Sequence, residues 1–160
     1  MRRTPLFFFL FLISSPAFAA GDAKDIPFRT DSGLTKAEYL LSAGKYSAAL
    51  DVAGEVLIRH PDDADAYAYR GYAFSRLGQT EDAVKNFKKA LQLNPTHLGA
   101  NKYLADIYLQ SGDVSRAIEQ MQVIRMTCGH TDCEELDELE HEIDQYKRGE
   151  LPKKDAQKEE

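Results

Sequence analysis

Hydrophobic and polar positions divide this sequence into three regions. An unbroken apolar run covers residues 6–13, close to the N-terminus. In the middle of the chain the apolar residues are instead spaced three and four apart among charged ones, which is the pattern of amphipathic helices. From residue 148 to the C-terminus no apolar period is present. We therefore expect the middle region to carry the fold and to be all-α.

The N-terminal region has the three parts of a secretory signal peptide. Arg2 and Arg3 supply a basic start, residues 6–13 supply the apolar centre, and small residues around Ala19 supply a cleavage site. A membrane anchor is the alternative, but it needs about 18 or more apolar residues. We predict a signal peptide over residues 1–19, cut after Ala19, and a periplasmic or secreted protein with no membrane span in its mature form.

The charge of the chain narrows the classes of partner. The sequence is 43% hydrophobic and 29% charged, with a formal net charge of -6. Removal of the signal peptide takes away Arg2 and Arg3 and makes the remaining chain more acidic. Affinity for phosphate backbones and anionic lipids comes from clustered Lys and Arg, and no basic stripe is present. The composition argues against binding to nucleic acid or to anionic membranes.

Small residues and prolines recur at one fixed interval in the middle region. Three series share an interval of 34 residues: Gly44, Gly78 and Gly112; Ala49, Ala83 and Ala117; Pro61 and Pro95. The glycines are expected to end the first helix of each pair, because glycine adopts a positive φ without strain. The prolines are expected to end the second helix, because proline disfavours helical geometry in the preceding residue.

The same interval places small residues where two helices must approach closely. These positions are Ala37, Gly71 and Ala105 on first helices, and the alanine series on second helices. Larger side chains, among them Phe74, Phe87, Tyr108 and Met121, are expected on inward faces. Asp62 is a candidate N-cap for the following helix. Thr35 and Glu38 form a candidate capping box, so that the first helix is expected to start near Thr35.

The best copy of the repeat resembles the tetratricopeptide repeat (TPR) family. It contains Tyr67, Arg70, Gly71 and Phe74, then Ala83, Phe87, Ala90 and Leu91, then Pro95. This order of residues, and a period of about 34 residues, are those of that family. The resemblance covers residues 30–131 and implies three copies, 30–63, 64–97 and 98–131. It implies a superhelix of three antiparallel helix pairs.

A further helix is predicted to cover the end of the array. Leu136, Leu139, Ile143 and Tyr146 form one apolar stripe within an otherwise acidic segment. Repeat arrays need a terminal helix because the last repeat would otherwise expose its hydrophobic face. We predict a capping helix over 132–147, a flexible lead-in over 20–29 and a disordered charged tail over 148–160.

Cys128 and Cys133 are the two cysteines of the chain, on either side of the turn before the capping helix. In an oxidising compartment two nearby thiols usually pair, which favours a structural disulfide. Free thiols, thiol-redox chemistry and a metal site that includes His130 and His141 stay open as alternatives, although the spacing matches no standard zinc site. His60 and His97 are interpreted as capping or solvent-facing residues.

Nothing in the sequence requires an enzyme or a cofactor. No nucleophile elbow, Walker motif or dinucleotide-binding glycine pattern is present. The TPR resemblance instead implies a non-catalytic protein-interaction module whose concave groove is lined by the first helices. The positions that line this groove in the family correspond to five residues in each copy of this sequence. They are Asp31, Leu34, Glu38, Leu41 and Ser42 in copy one; Asp65, Ala68, Tyr72, Ser75 and Arg76 in copy two; and Gly99, Lys102, Asp106, Leu109 and Gln110 in copy three.

Within that groove, Tyr72, Leu41 and Leu109 are expected to receive an apolar side chain. Glu38 and Asp106 are expected to select for a basic one. They stand where TPR proteins that clamp a terminal carboxylate have Asn, so the groove is not predicted to be such a clamp. Arg76 and Lys102 are the basic groove candidates. The predicted function is a periplasmic scaffold or assembly factor with a protein or peptide partner, the alternatives being a self-assembling homo-oligomer and a thiol-redox factor.

Overall fold

A computed structural model describes residues 32–129 and 132–150. These residues form seven α-helices: α1 (Ser32–Ser42), α2 (Tyr46–Arg59), α3 (Ala64–Arg76), α4 (Thr80–Leu93), α5 (Leu98–Gln110), α6 (Val114–Cys128) and α7 (Glu134–Lys147). The predicted signal peptide and lead-in, and the predicted tail from residue 151 onward, lie outside the described residues.

The helices form three pairs followed by α7. Each of α1, α3 and α5 packs against the helix that follows it, and each also contacts the next first helix, so that α1, α3, α5 and α7 are neighbours in one layer. The second helices α2, α4 and α6 make no comparable contacts with one another within the described chain. The first helices therefore line the inner, concave side of a curved stack. The predicted all-α superhelix of three pairs and a capping helix is confirmed.

The three turn glycines at the repeat interval end the first helices. Gly44, Gly78 and Gly112 have φ angles of 71°, 77° and 81°. A side chain at such a φ is strained, whereas glycine adopts it readily. The second helices α2 and α4 end two residues before Pro61 and Pro95. Both predictions about helix ends are confirmed.

The predicted small residues lie where the helices of a pair approach closely. Ala37, Ala83 and Ala105 are fully buried. At Gly71 a Cβ atom would lie 2.7 Å from the ring of Phe87, so that α3 and α4 can pack at this distance because residue 71 has no side chain. The hydrophobic core is correspondingly divided among the pairs, and Tyr72 packs against two of its clusters.

Two predictions about helix starts are wrong. The N-cap of α3 is Asp63 and not Asp62: its Oδ1 accepts a hydrogen bond of 3.0 Å from the Ala66 amide. Asp62 lies in the preceding turn and is exposed. The first helix already includes Ser32, so Thr35 lies inside α1 and cannot cap it. His97, expected to cap the end of a second helix or to face solvent, instead caps the start of α5, because its Nδ1 accepts a hydrogen bond from the Ala100 amide at 3.1 Å.

The last helix, α7, closes the stack. Its Leu139 and Ile143 are buried, Leu136 and Tyr146 are partly buried, and the helix packs against both α5 and α6. Arg125 of α6 also donates to Glu140 of α7 at 2.6 Å. No helix in the described part of the chain is long and apolar enough to span a membrane.

Candidate functional site

The concave face carries the residues that the sequence predicts as a binding groove. Glu38 on α1 and Arg76 on α3 are exposed, and Tyr72 on α3 is partly exposed. The side chains of Lys102 and Asp106 on α5 are 12% and 19% exposed. These five residues lie on consecutive first helices, so the structure does assemble them on one continuous surface.

Four of the carried-over groove positions, Leu34, Leu41, Ala68 and Leu109, lie in the core instead. Leu41 and Leu109 are the two that were expected to receive an apolar side chain. Leu41 and Leu109 are 8% and 3% exposed. Leu41 packs in the cluster that contains Ala49 and Val52 of α2, and Leu109 belongs to the main core. Both are near the end of a first helix, where the turn brings the second helix back against them. They stabilise their helix pairs and are not available to receive a partner's side chain.

A row of aromatic rings forms the centre of the concave face. The rings of Tyr72 and Tyr103 are 4.7 Å apart between centroids, and Tyr46 meets Tyr72 edge-on at 6.3 Å. Phe87 of the core also stacks on Tyr103, with 5.7 Å between the ring centroids. Arg76 lies over the rings of Tyr46 and Tyr72, at 5.5 and 6.0 Å. The row thus connects Phe87, which is buried in the core, with tyrosine rings that are partly exposed.

The sequence analysis missed Tyr103 as a surface residue, although a signal was present. Tyr69 precedes it by one full repeat, so the two tyrosines occupy the same repeat position. Tyr69 lies against α1, where burial and the nearby carboxylates of Glu38, Asp65 and Asp63 raise its pKa to about 12. An aromatic residue at this position packs against the preceding first helix in both copies.

Lys102 is the centre of an ionic cluster that joins α5 to α7. Its Nζ atom lies 3.2 Å from Asp106 on the same helix, and 3.1 and 3.2 Å from Glu138 and Glu142 on α7. It also lies 5.6 Å from the centroid of the Tyr103 ring. Lys102 and Asp106 therefore serve the docking of α7, a contact that the carried-over groove positions did not predict.

The carboxylates around Lys102 change the acid–base properties of the cluster. Burial lowers the pKa of Lys102, but Asp106 and Glu142 outweigh this effect and the pKa is raised. Burial and a hydrogen bond with Glu142 raise the pKa of Asp106 to about 7, although Lys102 acts in the opposite direction. Asp106 therefore keeps its proton to a higher pH than an isolated carboxyl would.

A pocket of about 260 Å³ opens between α5 and α7 beside this cluster. It is lined by Gly99, Lys102 and Tyr103 of α5 and by Glu134, Glu135 and Glu138 of α7. No Lys or Arg of the described residues forms an ion pair with Glu134 or Glu135. The lining therefore has one positive and three negative side chains, and the excess charge is negative.

Cys128 and Cys133 are bonded to each other between α6 and α7. Their Sγ atoms are 2.05 Å apart and their Cα atoms 6.1 Å apart, within the separation that a disulfide can bridge. No group of three or more His, Cys, Asp and Glu residues in the described ranges is placed to hold a metal ion. His130, from the metal alternative, lies outside those ranges.

The chain belongs to the tetratricopeptide repeat family. One model of this family matches residues 34–95 and a second matches residues 75–127, so that together they span more than half of the chain. The matched region contains the three turn glycines, the close contact at Gly71 and the aromatic row. The family is generally a non-catalytic protein-interaction module.

Two curated relatives illustrate the range of proteins that share this module. The chain is 30% identical over 103 residues to the tetratricopeptide repeat and J domain-containing co-chaperone DNJ1 of Cryptococcus neoformans, which covers 64% of this chain and 20% of that protein. It is 30% identical over 100 residues to the small glutamine-rich tetratricopeptide repeat-containing protein 2 of Mycosarcoma maydis, covering 58% and 28%. The chain thus spans less than a third of either relative.

Solved structures share the fold at lower sequence identity. The type III secretion translocator chaperone SycD of Yersinia enterocolitica superposes with a TM-score of 0.66 at 15% identity, over 75% of this chain and 85% of that one. The TPR2B domain of yeast Sti1, solved as a complex with pHsp70, gives a TM-score of 0.63 at 19% identity, over 71% and 94%. These likenesses establish the helical superhelix.

Proposed function

We propose that this chain is a non-catalytic interaction module of an exported compartment, which binds a segment of a protein partner along its concave face. The observation that carries the proposal is the partly exposed pair of Tyr72 and Tyr103 on the first helices α3 and α5, which Tyr46 at the start of α2 extends into a row. Tyrosines supply large contact areas and lose little conformational freedom on binding. Phe87 anchors the row to the core, so the surface is formed before a partner arrives.

The charge of the concave face favours a partner with basic and apolar side chains. Glu38 is exposed on α1, and the pocket between α5 and α7 at the other end of the face has an excess of glutamates. Arg76 lies over the rings of Tyr46 and Tyr72, so one basic side chain accompanies the acidic ones on this face. Complementary charges of this kind steer encounter and set the register of a bound segment more than they add affinity.

The position of the disulfide supports a binding role over a thiol-redox role. Cys128 is the last residue of α6 and Cys133 directly precedes α7, so that their bond joins these two helices. A bond between the last repeat and the capping helix has a direct structural use, because it limits how far α7 can leave the stack.

Site-specific crosslinking in cells tests the proposed binding face. A photo-reactive amino acid is placed at Ser42 or Gln110, which are exposed positions of the groove, and at Lys89 or Gln122, which are exposed on second helices. We expect one discrete protein adduct from the groove positions and none from the second-helix positions. Equal adducts from all four positions would contradict a concave binding face.

Two substitutions then sharpen the same experiment. Tyr72→Ala removes the central ring and Glu38→Lys reverses an exposed charge, and both are expected to reduce the adduct. Glu55→Lys, at an exposed position of α2, is the matched charge control and should leave the yield unchanged. If Tyr72→Ala and Glu38→Lys both keep full yield, the groove is not the binding site. Mass spectrometry of the intact protein from the exported fraction tests the predicted signal peptide. The expected mass is that of a chain that starts at Ala20.

A further inference from the structure

We propose that the pocket between α5 and α7 is a subsite of the concave face that receives an Arg or Lys side chain of the partner, next to an apolar residue that lies on the tyrosine row. The inference rests on the proposed function, because it assigns one side chain of the segment that the groove would bind. It gives α7 a role in recognition in addition to closing the stack.

The size of the pocket suits one side chain. Pockets that hold whole small molecules measure about 300–1,000 Å³, whereas this one measures about 260 Å³. Gly99 at its edge has no side chain, and a Cβ there would touch His97 and Tyr103 at 3.6 and 3.8 Å. On the α5 side the pocket is bounded by Gly99, Lys102 and Tyr103, and the Tyr103 ring continues the concave face toward Tyr72.

The lining selects for a cation. Lys102 already forms ion pairs with Asp106, Glu138 and Glu142, so its positive charge is compensated within the cluster. Glu134 and Glu135 add two further carboxylates that form no ion pair within the described chain, and the side chain of Glu138 remains 51% exposed. A partner's ammonium or guanidinium group would meet an excess of negative charge on the α7 side.

The helix dipole explains only part of this arrangement. Acidic residues are favourable in the first turn of any helix, and α7 has Glu134, Glu135 and Asp137 there. Asp137 satisfies the dipole without lining the pocket, whereas the two glutamates lie on the side that faces α5. The position of these glutamates matters as well as their number, because it places their carboxylates in the same pocket as the ring of Tyr103.

Tyr103 supplies the second element of the subsite. Its ring lines the pocket and also lies against the ring of Tyr72, tilted by 40°. The pocket and the tyrosine row are therefore continuous. A guanidinium group can lie on an aromatic ring while its N–H groups donate to carboxylates, which an ammonium group does less well. We therefore expect Arg to be preferred over Lys, with the adjacent apolar side chain contacting Tyr72.

Two blocked tetrapeptides test the subsite on the purified, processed chain. Acetyl-Ala-Arg-Leu-Ala-amide is compared with its citrulline counterpart, which has the same shape and no charge. Binding is followed by NMR amide shifts. We expect the arginine peptide to shift Gly99, Tyr103 and the first turn of α7, and the citrulline peptide to bind about five-fold more weakly, which is the size of one or two exposed charge contacts.

Matched variants locate the effect. Glu134→Gln with Glu138→Gln should reduce binding of the arginine peptide about five-fold, while Glu55→Gln with Glu119→Gln, exposed on second helices, should leave it unchanged. Since Glu138 also contacts Lys102, Glu134→Gln alone provides a variant that breaks no ion pair of the described chain. A melting temperature recorded for each variant separates lost binding from loss of α7.

Three results would overturn the inference. They are equal affinity for the two peptides, shifts that lie away from α5 and α7, and binding that appears only after Lys153→Ala with Lys154→Ala, which would mean that the chain's own tail occupies the pocket. The proposed function fails separately, through the groove crosslinks. If Tyr72→Ala abolishes those crosslinks while the glutamate variants change nothing, the groove is correct and the subsite is wrong.

Discussion

Copies two and three place different chemistry at the same repeat positions of the concave face. Ala68 and Tyr72 of copy two correspond to Lys102 and Asp106 of copy three, one repeat later. The junction of α3 with α5 is accordingly closed by stacked tyrosines, and the junction of α5 with α7 by an ionic cluster. The repeat fixes the distance between helices but leaves each junction free to use apolar or charged contacts.

The interior of the two copies also differs, in a compensating way. Gly71 of copy two faces the large ring of Phe87, whereas copy three has Ala105 and Met121 at the equivalent positions. A smaller residue on the first helix thus accompanies a bulkier one on the second. In these two copies the sum of the two side chains is better matched than either residue alone, whereas copy one has Ala37 and Ala53 at these positions.

The largest predicted effect tests this compensation. Gly71→Ala places a methyl group 2.7 Å from the Phe87 ring and should lower the free energy of unfolding by about 2–3 kcal/mol. Adding Phe87→Met, which reproduces the pair found in copy three, should recover about 1 kcal/mol of that loss. Urea denaturation of the two single variants and the double variant measures the coupling. Strictly additive effects would show that the two positions do not compensate each other.

The second prediction tests the ionic junction. Lys102→Met leaves Asp106, Glu138 and Glu142 without their shared cation, and should destabilise the chain by about 2 kcal/mol, less than a fully buried pair would cost because Glu138 is half exposed. Lys85→Met, at an exposed ion pair on α4, should cost less than about 0.5 kcal/mol. Equal effects in urea denaturation would mean that α7 is held by its apolar stripe alone.

Much of the scaffold could be predicted because its signals repeat. The turn glycines, the small contact residues and the prolines each occur at the same interval, so that every copy supports the interpretation of the others. The predicted N-cap of α3 is wrong even though the same signal was present there. Asp63, and not Asp62, lies one repeat before the capping His97, and both accept a hydrogen bond from the amide three residues later.

The surface was predicted less well because it depends on contacts between distant parts of the chain. Position in the repeat assigns Lys102 and Asp106 to the groove, but the location of α7 decides that they contact Glu138 and Glu142. Leu41 was also assigned to the groove by its position in the repeat, but it is buried. A groove position near the end of a first helix is buried once the second helix folds back, and residue type alone does not distinguish the two environments.

The third prediction separates the covalent link at α7 from the ionic one. Cys128→Ser with Cys133→Ser should lower the free energy of unfolding by roughly 2 kcal/mol, the amount expected for a short closed loop. Groove crosslinking should persist, because Leu139 and Ile143 still hold α7 on the stack. Loss of a thiol-exchange activity with an unchanged fold would instead favour the redox alternative.

The smallest predicted effect distinguishes the two junctions by pH. Burial and Glu142 raise the pKa of Asp106 from 3.8 to about 7, so the folded chain favours its protonated form. The folded chain then binds more protons than the unfolded one between about pH 4 and pH 7. The contribution of Asp106 to stability is therefore full below pH 4 and is lost as the pH rises toward 7.

Asp106→Asn removes that titration, and its stability relative to wild type should be about 1 kcal/mol greater at pH 8 than at pH 4, as measured by urea denaturation. Tyr72→Phe, at the same repeat position of copy two, changes no charge and should differ from wild type equally at both pH values. If Asp106→Asn also shows no pH-dependent difference, Asp106 is ionised throughout this range. The α5–α7 junction would then be a simple ion pair, no more sensitive to pH than the tyrosine-stacked junction of α3 with α5.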